Sequence, residues 1–270
     1  MSTVTFEGYE IYYERHGHGR PLVVLNGIFM SCASWAAFLP AFSEVDLILV
    51  DLLDQGRSAR AWESYTQQLQ ARLVVSLLDH LELEASDVMG ISYGGEVAQL
   101  IALDYPSRVN RLILSNTSAY TSPWLRDIGH SWEYAFVSHD GRQFFKTCIP
   151  IVYSPGFYER NYAWVAAREE LFCKFFTPDV YDAFSRLTRS AEDFDVRDRL
   201  ADITALTLII SSELDFVTPV YQQKELLAVI PGASWAMIPD AGHAVMYEKP
   251  ETFAALVLGF LRFQETIRTL

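Results

Sequence analysis

Residues 90–95 read Gly-Ile-Ser-Tyr-Gly-Gly, with a strand-like run around Val88 and Met89 before them and a helical run from Glu96 after them. Ser92 therefore stands where a strand passes into a helix, with glycine on either side at 90 and 94. A turn that tight strains the backbone and leaves no room for a Cβ at its flanks, while it holds the serine hydroxyl out at the carboxyl edge of a sheet. The amino end of the helix that follows favours negative charge developing at the same place. In a chain with 14 glycines, chance alone gives this pentapeptide roughly 0.06 times. A flexible Gly-Ser loop is the plainer reading, but such a loop need not join a strand to a helix. The pattern predicts a nucleophilic serine.

A serine hydroxyl is a weak nucleophile near neutral pH, so an imidazole must take its proton as it attacks. Six histidines are present. His16 and His18 sit in a Gly-rich turn, His80 ends a helical pattern, and His130 and His139 lie in an aromatic-rich segment. His243 follows Ile-Pro-Asp-Ala-Gly at 238–242, just past the last predicted strand and before the last predicted helix. Loops after strand ends are where an open α/β sheet collects its chemistry, which makes His243 the candidate base. Two carboxylates, Glu213 and Asp215, stand in the loop after the penultimate predicted strand.

The elements that must hold these residues alternate. Short apolar, β-branched runs at 22–25, 47–50, 88–89, 112–114, 206–210 and 235–238 read as buried strands, and 4–6 with 9–15 reads as a hairpin turned at Gly8. Helical patterns cover 35–42, 65–81, 95–105, 219–230 and 250–263. That rhythm predicts a mostly parallel sheet wrapped by helices. It breaks once, between 119 and 194, where no strand fits and 18 of the chain's 37 aromatic residues fall. Trp132, Phe144, Phe145, Trp164 and Phe172 recur there at three- and four-residue spacings, so the segment reads as helical. Such aromatics either fill the insert's own core or line an apolar pocket over the sheet, and both roles fit different residues.

Composition removes several classes of function. Half of the 270 residues are hydrophobic, ample for a large core. Lys and Arg number 21 against 34 Asp and Glu, a net charge of −13. That field repels phosphate backbones and anionic lipid, so neither nucleic acid nor a membrane surface is an expected partner. Three scattered cysteines offer neither a disulfide framework nor a zinc site, and no apolar run is long enough to span a bilayer. The expected setting is cytoplasmic. No ligand cluster or dinucleotide-type glycine motif implies a metal or an organic cofactor.

With its elbow at 90–95 and a Gly-His at 242–243, the chain resembles the α/β-hydrolase family along nearly its whole length outside the insert. The resemblance implies an α/β-hydrolase fold with a sheet of about eight strands, helices on both faces and a helical cap. The expected division is a core at 1–118 and 195–270 with a cap at 119–194. It implies a triad in the order Ser92, Asp215, His243, because the family's acid lies in a D-x-x-x-P turn such as the one from Asp215 to Pro219. Some members take the acid from an earlier strand end, but the matching stretch here, Ser115-Asn116-Thr117, offers only an amide. The implied oxyanion donors are the backbone N–H groups of Tyr93 and of Ile28, the latter in the loop after 22–25.

Two stretches depart from the family's usual pattern. Asn26-Gly27 stands where His-Gly is common, and Asp51-Leu-Leu-Asp-Gln-Gly-Arg-Ser58 keeps the spacing of D-x-R-G-x-G-x-S without its internal Arg-Gly. Both are similar to the bacterial 3-hydroxyacyl transferases, including the synthases of hydroxyacyloxy-alkanoates, although Gly90 and Tyr93 keep the more ordinary hydrolase elbow. The expected activity is cofactor-independent cleavage of an ester, thioester or lactone of an apolar acyl substrate through an acyl-enzyme at Ser92. Hydroxyacyl transfer by the same triad is the alternative. A ligand-binding receptor with little turnover is a third reading, opposed by the presence of all three triad residue types.

Overall fold

The computed structural model describes residues 2–175 and 177–262; Phe263, expected to end the last helix, and the rest of the expected core segment lie outside them. Eight strands run in chain order as β1 (Ser2–Phe6), β2 (Tyr9–His16), β3 (Arg20–Leu25), β4 (Val45–Val50), β5 (Ser86–Ile91), β6 (Val109–Ser115), β7 (Leu206–Ser212) and β8 (Ser234–Ile238). They form one sheet in the order β1-β2-β4-β3-β5-β6-β7-β8. The β1–β2 hairpin and the β2–β4 pair are antiparallel, and the remaining pairs are parallel. This is the α/β-hydrolase architecture expected from the sequence.

Register explains why one edge carries the chemistry. Leu25 lies opposite Val50 and Gly90, Ile91 opposite Ser115, Ser115 opposite Ile210, and Ser212 opposite Ile238. The residues that follow β3, β5, β6, β7 and β8 therefore leave the sheet side by side.

Helices α1 (Gln67–His80) and α2 (Tyr93–Asp104) precede a group of five, α3 (Pro123–Val137), α4 (Gly141–Cys148), α5 (Pro155–Arg160), α6 (Tyr162–Phe175) and α7 (Pro178–Ser190). After β7 come α8 (Val220–Val229), α9 (Val245–Glu248) and α10 (Pro250–Arg262). Both faces of the sheet are covered, so its central strands are apolar on both sides. Val23, Leu25, Ile48 and Val50 pack against α1 and α2 on one face. Leu22, Val24, Leu47 and Leu49 pack with Trp35, Phe42 and α10 on the other. Each such side chain, fully removed from water, contributes about 1.5–3 kcal/mol.

One expected helix is absent. A short 3-10 helix at Cys32–Trp35 ends where the expected one begins, and turns cover the rest of 35–42. Pro40 supplies no N–H to extend a helical ladder there, yet Trp35, Phe38 and Phe42 still bury at near-helical spacing. The four-residue α9 was not anticipated.

Between β6 and β7 the chain forms the five-helix insert. Its two ends are joined by an antiparallel bridge between Tyr120 and Asp195, with Thr121 N–H donating to Phe194 O at 2.8 Å and Val196 N–H to Ala119 O at 2.9 Å. Inside it, α3 packs on α4 and α7, and α4 on α6. Phe136, Phe144, Tyr181 and Phe184 form a ring cluster with centroids 5.5–6.4 Å apart. A side chain from the sheet edge enters this cluster: Phe29 stands 4.9 Å from Trp132, 5.2 Å from Phe144 and 5.1 Å from Phe184. A second fastening is ionic, with Arg186 of α7 gripping buried Asp54 through bonds of 3.0 and 2.6 Å.

Candidate active site

Ser92 occupies the turn between β5 and α2 with φ +53° and ψ −121°, a conformation that L-residues adopt only when the surroundings impose it. The surroundings do. A Cβ on Gly90 would run into the carbonyl of Gly94, and one on Gly94 into the carbonyl of Leu25. The hydroxyl stands 2.9 Å from His243 Nε2, and His243 Nδ1 lies 2.9 and 3.0 Å from the two oxygens of Asp215. The structure thus brings Ser92, His243 and Asp215 into one hydrogen-bonded line from the ends of β5, β8 and β7. Glu213, the other carboxylate of that loop, is exposed and accepts from Asp240 N–H at 3.0 Å.

Asp215 is buried yet well supplied with donors. Val217 and Thr218 donate backbone N–H to Oδ1 at 2.9 Å each, and Thr218 Oγ1 donates to Oδ2 at 2.9 Å. Asn116 Nδ2 donates to Oδ2 at 2.7 Å and to Ser212 Oγ at 2.8 Å. Burial alone would raise this carboxyl's pKa, but the imidazole of His243 and the donors together hold it below the ordinary carboxylate value. An ionised Asp215 can fix the imidazole's orientation and stabilise it when it takes a proton. The bracing by Asn116 was not visible in the sequence, where the position offered only an amide; its φ of +47° turns the chain sharply after β6.

The loop after β3 is pinned from below. A Cβ on Gly27 would come within 3.5 Å of Ser92 Cβ, so this loop borders Ser92, and Ile28 and Tyr93 both line the cavity above it. Gln55 Nε2 donates to the carbonyl of Gly27 at 3.0 Å. Asn26 donates to Val50 O at 3.1 Å and accepts from Trp35 Nε1 at 2.9 Å. Its amide thus links β4 to the Trp35 core, a scaffold role. The Asp51–Ser58 turn serves the same end. Asp51 accepts from the N–H of Cys32 at 2.7 Å and of Arg57 at 2.8 Å, and Ser58 Oγ donates to Asp51 O.

The cavity opens over Ser92 beneath the insert. Phe29, Met30, Val217, Met246 and Tyr247 contribute from the core, and Trp132, Ile149, Val152, Tyr153 and Phe172 from the insert. Of the five aromatics singled out in the insert, Trp132 and Phe172 line this cavity, whereas Phe144 and Phe145 are fully buried in apolar clusters and Trp164 is exposed. His130, which the sequence places only in the aromatic-rich segment, is also a wall residue. So is Glu96, one helical turn past Ser92. It is buried, and among the described residues no cation pairs with it; Gln67 Nε2 donates to it at 2.6 Å and Ser118 Oγ at 3.3 Å. Desolvation pushes its pKa up to about 8. Among the described residues no group of three or more His, Cys, Asp or Glu could hold a metal ion, and no helix is long and apolar enough to cross a membrane.

Comparison with known proteins agrees with this architecture. The model of the Alpha/beta hydrolase family matches residues 22–256. The crystal structure of MGS-M2, an alpha/beta hydrolase enzyme from a Medee basin deep-sea metagenome library, is 41% identical over the whole of both chains, with a TM-score of 0.96. Est816, described as an N-acyl homoserine lactone degrading enzyme, is 26% identical with a TM-score of 0.81, covering 96% of this chain and all of its own. The RutD protein of Azorhizobium caulinodans, which carries the provisional name of carbamate hydrolase, is 27% identical over 93% of this chain and 94% of its own length. With its strand order, the elbow at Ser92 and a family match across most of its length, the chain belongs to the alpha/beta hydrolase family of enzymes.

Proposed function

We propose that the protein is a cofactor-independent serine hydrolase that cleaves a carboxylic ester, thioester or lactone of an apolar acyl substrate through an acyl-enzyme at Ser92. The observation that carries this reading is the 2.9 Å approach of Ser92 Oγ to His243 Nε2, with Asp215 on the far nitrogen. Ser92 Oγ attacks the acyl carbon while its proton passes to His243 Nε2. The negative oxygen that forms is met by the N–H groups of Ile28 and Tyr93, each worth about 3 kcal/mol when preorganised. The tetrahedral centre collapses, the leaving group takes the proton from His243, and the acyl group stays on Ser92. Water then attacks the ester, gives a proton to His243, and the acid departs as Ser92 regains its proton. Asp215 stays ionised throughout and steadies the imidazolium.

The insert at 119–194 is read as a cap over a core formed by 1–118 and 195–270, and its apolar cavity wall favours an acyl chain over a charged group. The likeness to Est816 brings lactones into the same substrate class. A panel of acyl esters, lactones and 3-hydroxyacyl thioesters, with products followed by mass, tests the reading. Free acid is the expected product, and Ser92→Ala abolishes its formation. A dimeric hydroxyacyloxy acid or a new thioester would replace hydrolysis by acyl transfer, the reading that Asn26 and the Asp51–Ser58 turn supported in the sequence. The scaffold bonds of Asn26 and Asp51 give both departures a structural reading beside that one.

A further inference from the structure

A carboxylate helps to tie the loop that carries His243 to the helical insert. Glu248, the last residue of α9, accepts through Oε1 from the backbone N–H of Gly242 at 3.1 Å and from that of Ser154 at 2.7 Å. Its Oε2 accepts from the Ser154 hydroxyl at 2.5 Å. Ser154 caps the amino end of α5, its Oγ accepting from Phe157 N–H at 3.3 Å. On the other side of the histidine, Ala244 N–H donates to Val152 O at 2.9 Å. The residues immediately before and after His243 are thus both bonded to segment 152–154 of the insert or to the carboxylate that holds it.

Gly242 marks the closest approach. A Cβ there would press on Ser154 N and come within 2.7 Å of the Tyr153 carbonyl carbon and 2.9 Å of Glu248 Oε1. Hydrogen bonds to an ionised acceptor are roughly twice as strong as neutral ones, and among the described residues no arginine or lysine pairs with Glu248 to divert it. Neither Glu248 nor Ser154 is among the residues lining the cavity. A change at either one therefore removes no side chain from the cavity wall, and an effect confined to kcat marks the histidine loop as its route.

We propose that Glu248 is a positioning residue for His243, which holds the imidazole within reach of Ser92 and makes the insert and the base move as one unit. This rests on the reading of His243 as the general base. A base displaced by a fraction of an ångström loses its alignment in the proton transfer, whereas substrate still enters an unchanged cavity. The loss belongs in kcat, with KM left nearly alone.

The test compares Glu248→Ala, Glu248→Gln and Ser154→Ala with wild type on a hexanoyl ester, alongside His243→Ala and the rate at which a fluorophosphonate inactivates each protein. Glu248→Ala is expected to lower kcat about thirtyfold and to slow inactivation in parallel, with KM within about twofold. In Glu248→Gln one oxygen still accepts from both N–H groups while the new amide donates to Ser154 Oγ, so kcat returns to within about threefold of wild type. Ser154→Ala removes one bond only; it lowers kcat about fivefold, and it decides the matter should Glu248→Ala not fold. A folded Glu248→Ala with wild-type kcat, a Glu248→Gln as impaired as the alanine variant, or an unaltered Ser154→Ala would each overturn the coupling. Were His243→Ala also to keep wild-type kcat, the base assignment itself would fall; an inactive His243→Ala beside an intact Glu248→Ala removes the coupling alone.

Discussion

The elbow at the sheet edge and the aromatic interior of the insert are built on opposite rules. At the elbow three glycines are each fixed by an atom that a Cβ would strike: Gly90 by the carbonyl of Gly94, Gly94 by that of Leu25, and Gly95 by the side chain of Thr117, whose Cβ would stand 2.6 Å away. In the insert, Phe136, Phe144, Tyr181 and Phe184 pack on one another's rings and on those of Phe29, Phe172 and His139, at distances that other large apolar side chains could also satisfy. Chemistry here needs a fixed backbone, and a fixed backbone restricts residue type. Filling a pocket wall restricts little beyond size and apolarity.

Substituting one residue in each region sharpens the contrast. Gly94→Ala drives a methyl group into the Leu25 carbonyl, so a loss of more than about 3 kcal/mol of stability, or no folded protein, is expected by thermal unfolding. An unchanged Tm would mean that the elbow is more compliant than its geometry states. The insert's cavity wall should act through the substrate. Each buried CH₂ is worth about 0.8 kcal/mol, so kcat/KM should climb about a hundredfold from acetyl to hexanoyl esters and then level off. Preference for acetyl would make the wall aromatics mere core.

An intermediate case is Glu96, on the cavity wall but held by the elbow helix. Its pKa rises from the ordinary 4.5 to about 8 in the folded chain. Between those values the folded state holds a proton that the unfolded state has lost. This contribution to stability is therefore complete below pH 4.5 and declines as pH rises to about 8. Asp215, with its pKa lowered, acts in the other direction and only below its ordinary 3.8, outside this window. Glu96→Gln should flatten the fall in denaturant midpoint between pH 5 and pH 8, and an identical slope in the two proteins would contradict the neutral carboxyl. The smallest effect is expected deep in the insert. Phe144→Leu should cost about 1 kcal/mol by denaturant unfolding and leave kcat within about twofold, because its ring lies inside the apolar cluster and does not line the cavity. A tenfold loss of kcat would erase the distinction between the regions.

The same contrast governs what could be read from the chain. The elbow, the sheet and the loop bearing His243 were legible because steric demands leave fixed glycines and strand ends leave apolar runs. Residues 35–42 misled because Trp35, Phe38 and Phe42 bury at helical spacing while Pro40 breaks the ladder. Asn116 and Glu248 left no signal, since each works with a partner about a hundred residues away in sequence, Asp215 for one and Ser154 for the other. Which aromatics face the cavity was equally hidden: Trp132 does and Phe136 does not, although both lie on α3 and both are buried.

Ser92 as the nucleophile is the claim on which the proposed chemistry rests most directly. Reaction of the purified protein with a fluorophosphonate, followed by intact mass and peptide mapping, should yield one adduct on Ser92, with loss of ester hydrolysis in step with labelling. Folded Ser92→Ala should neither label nor turn over. An active wild-type preparation that takes no label, or a Ser92→Ala protein that keeps wild-type hydrolysis, would contradict it.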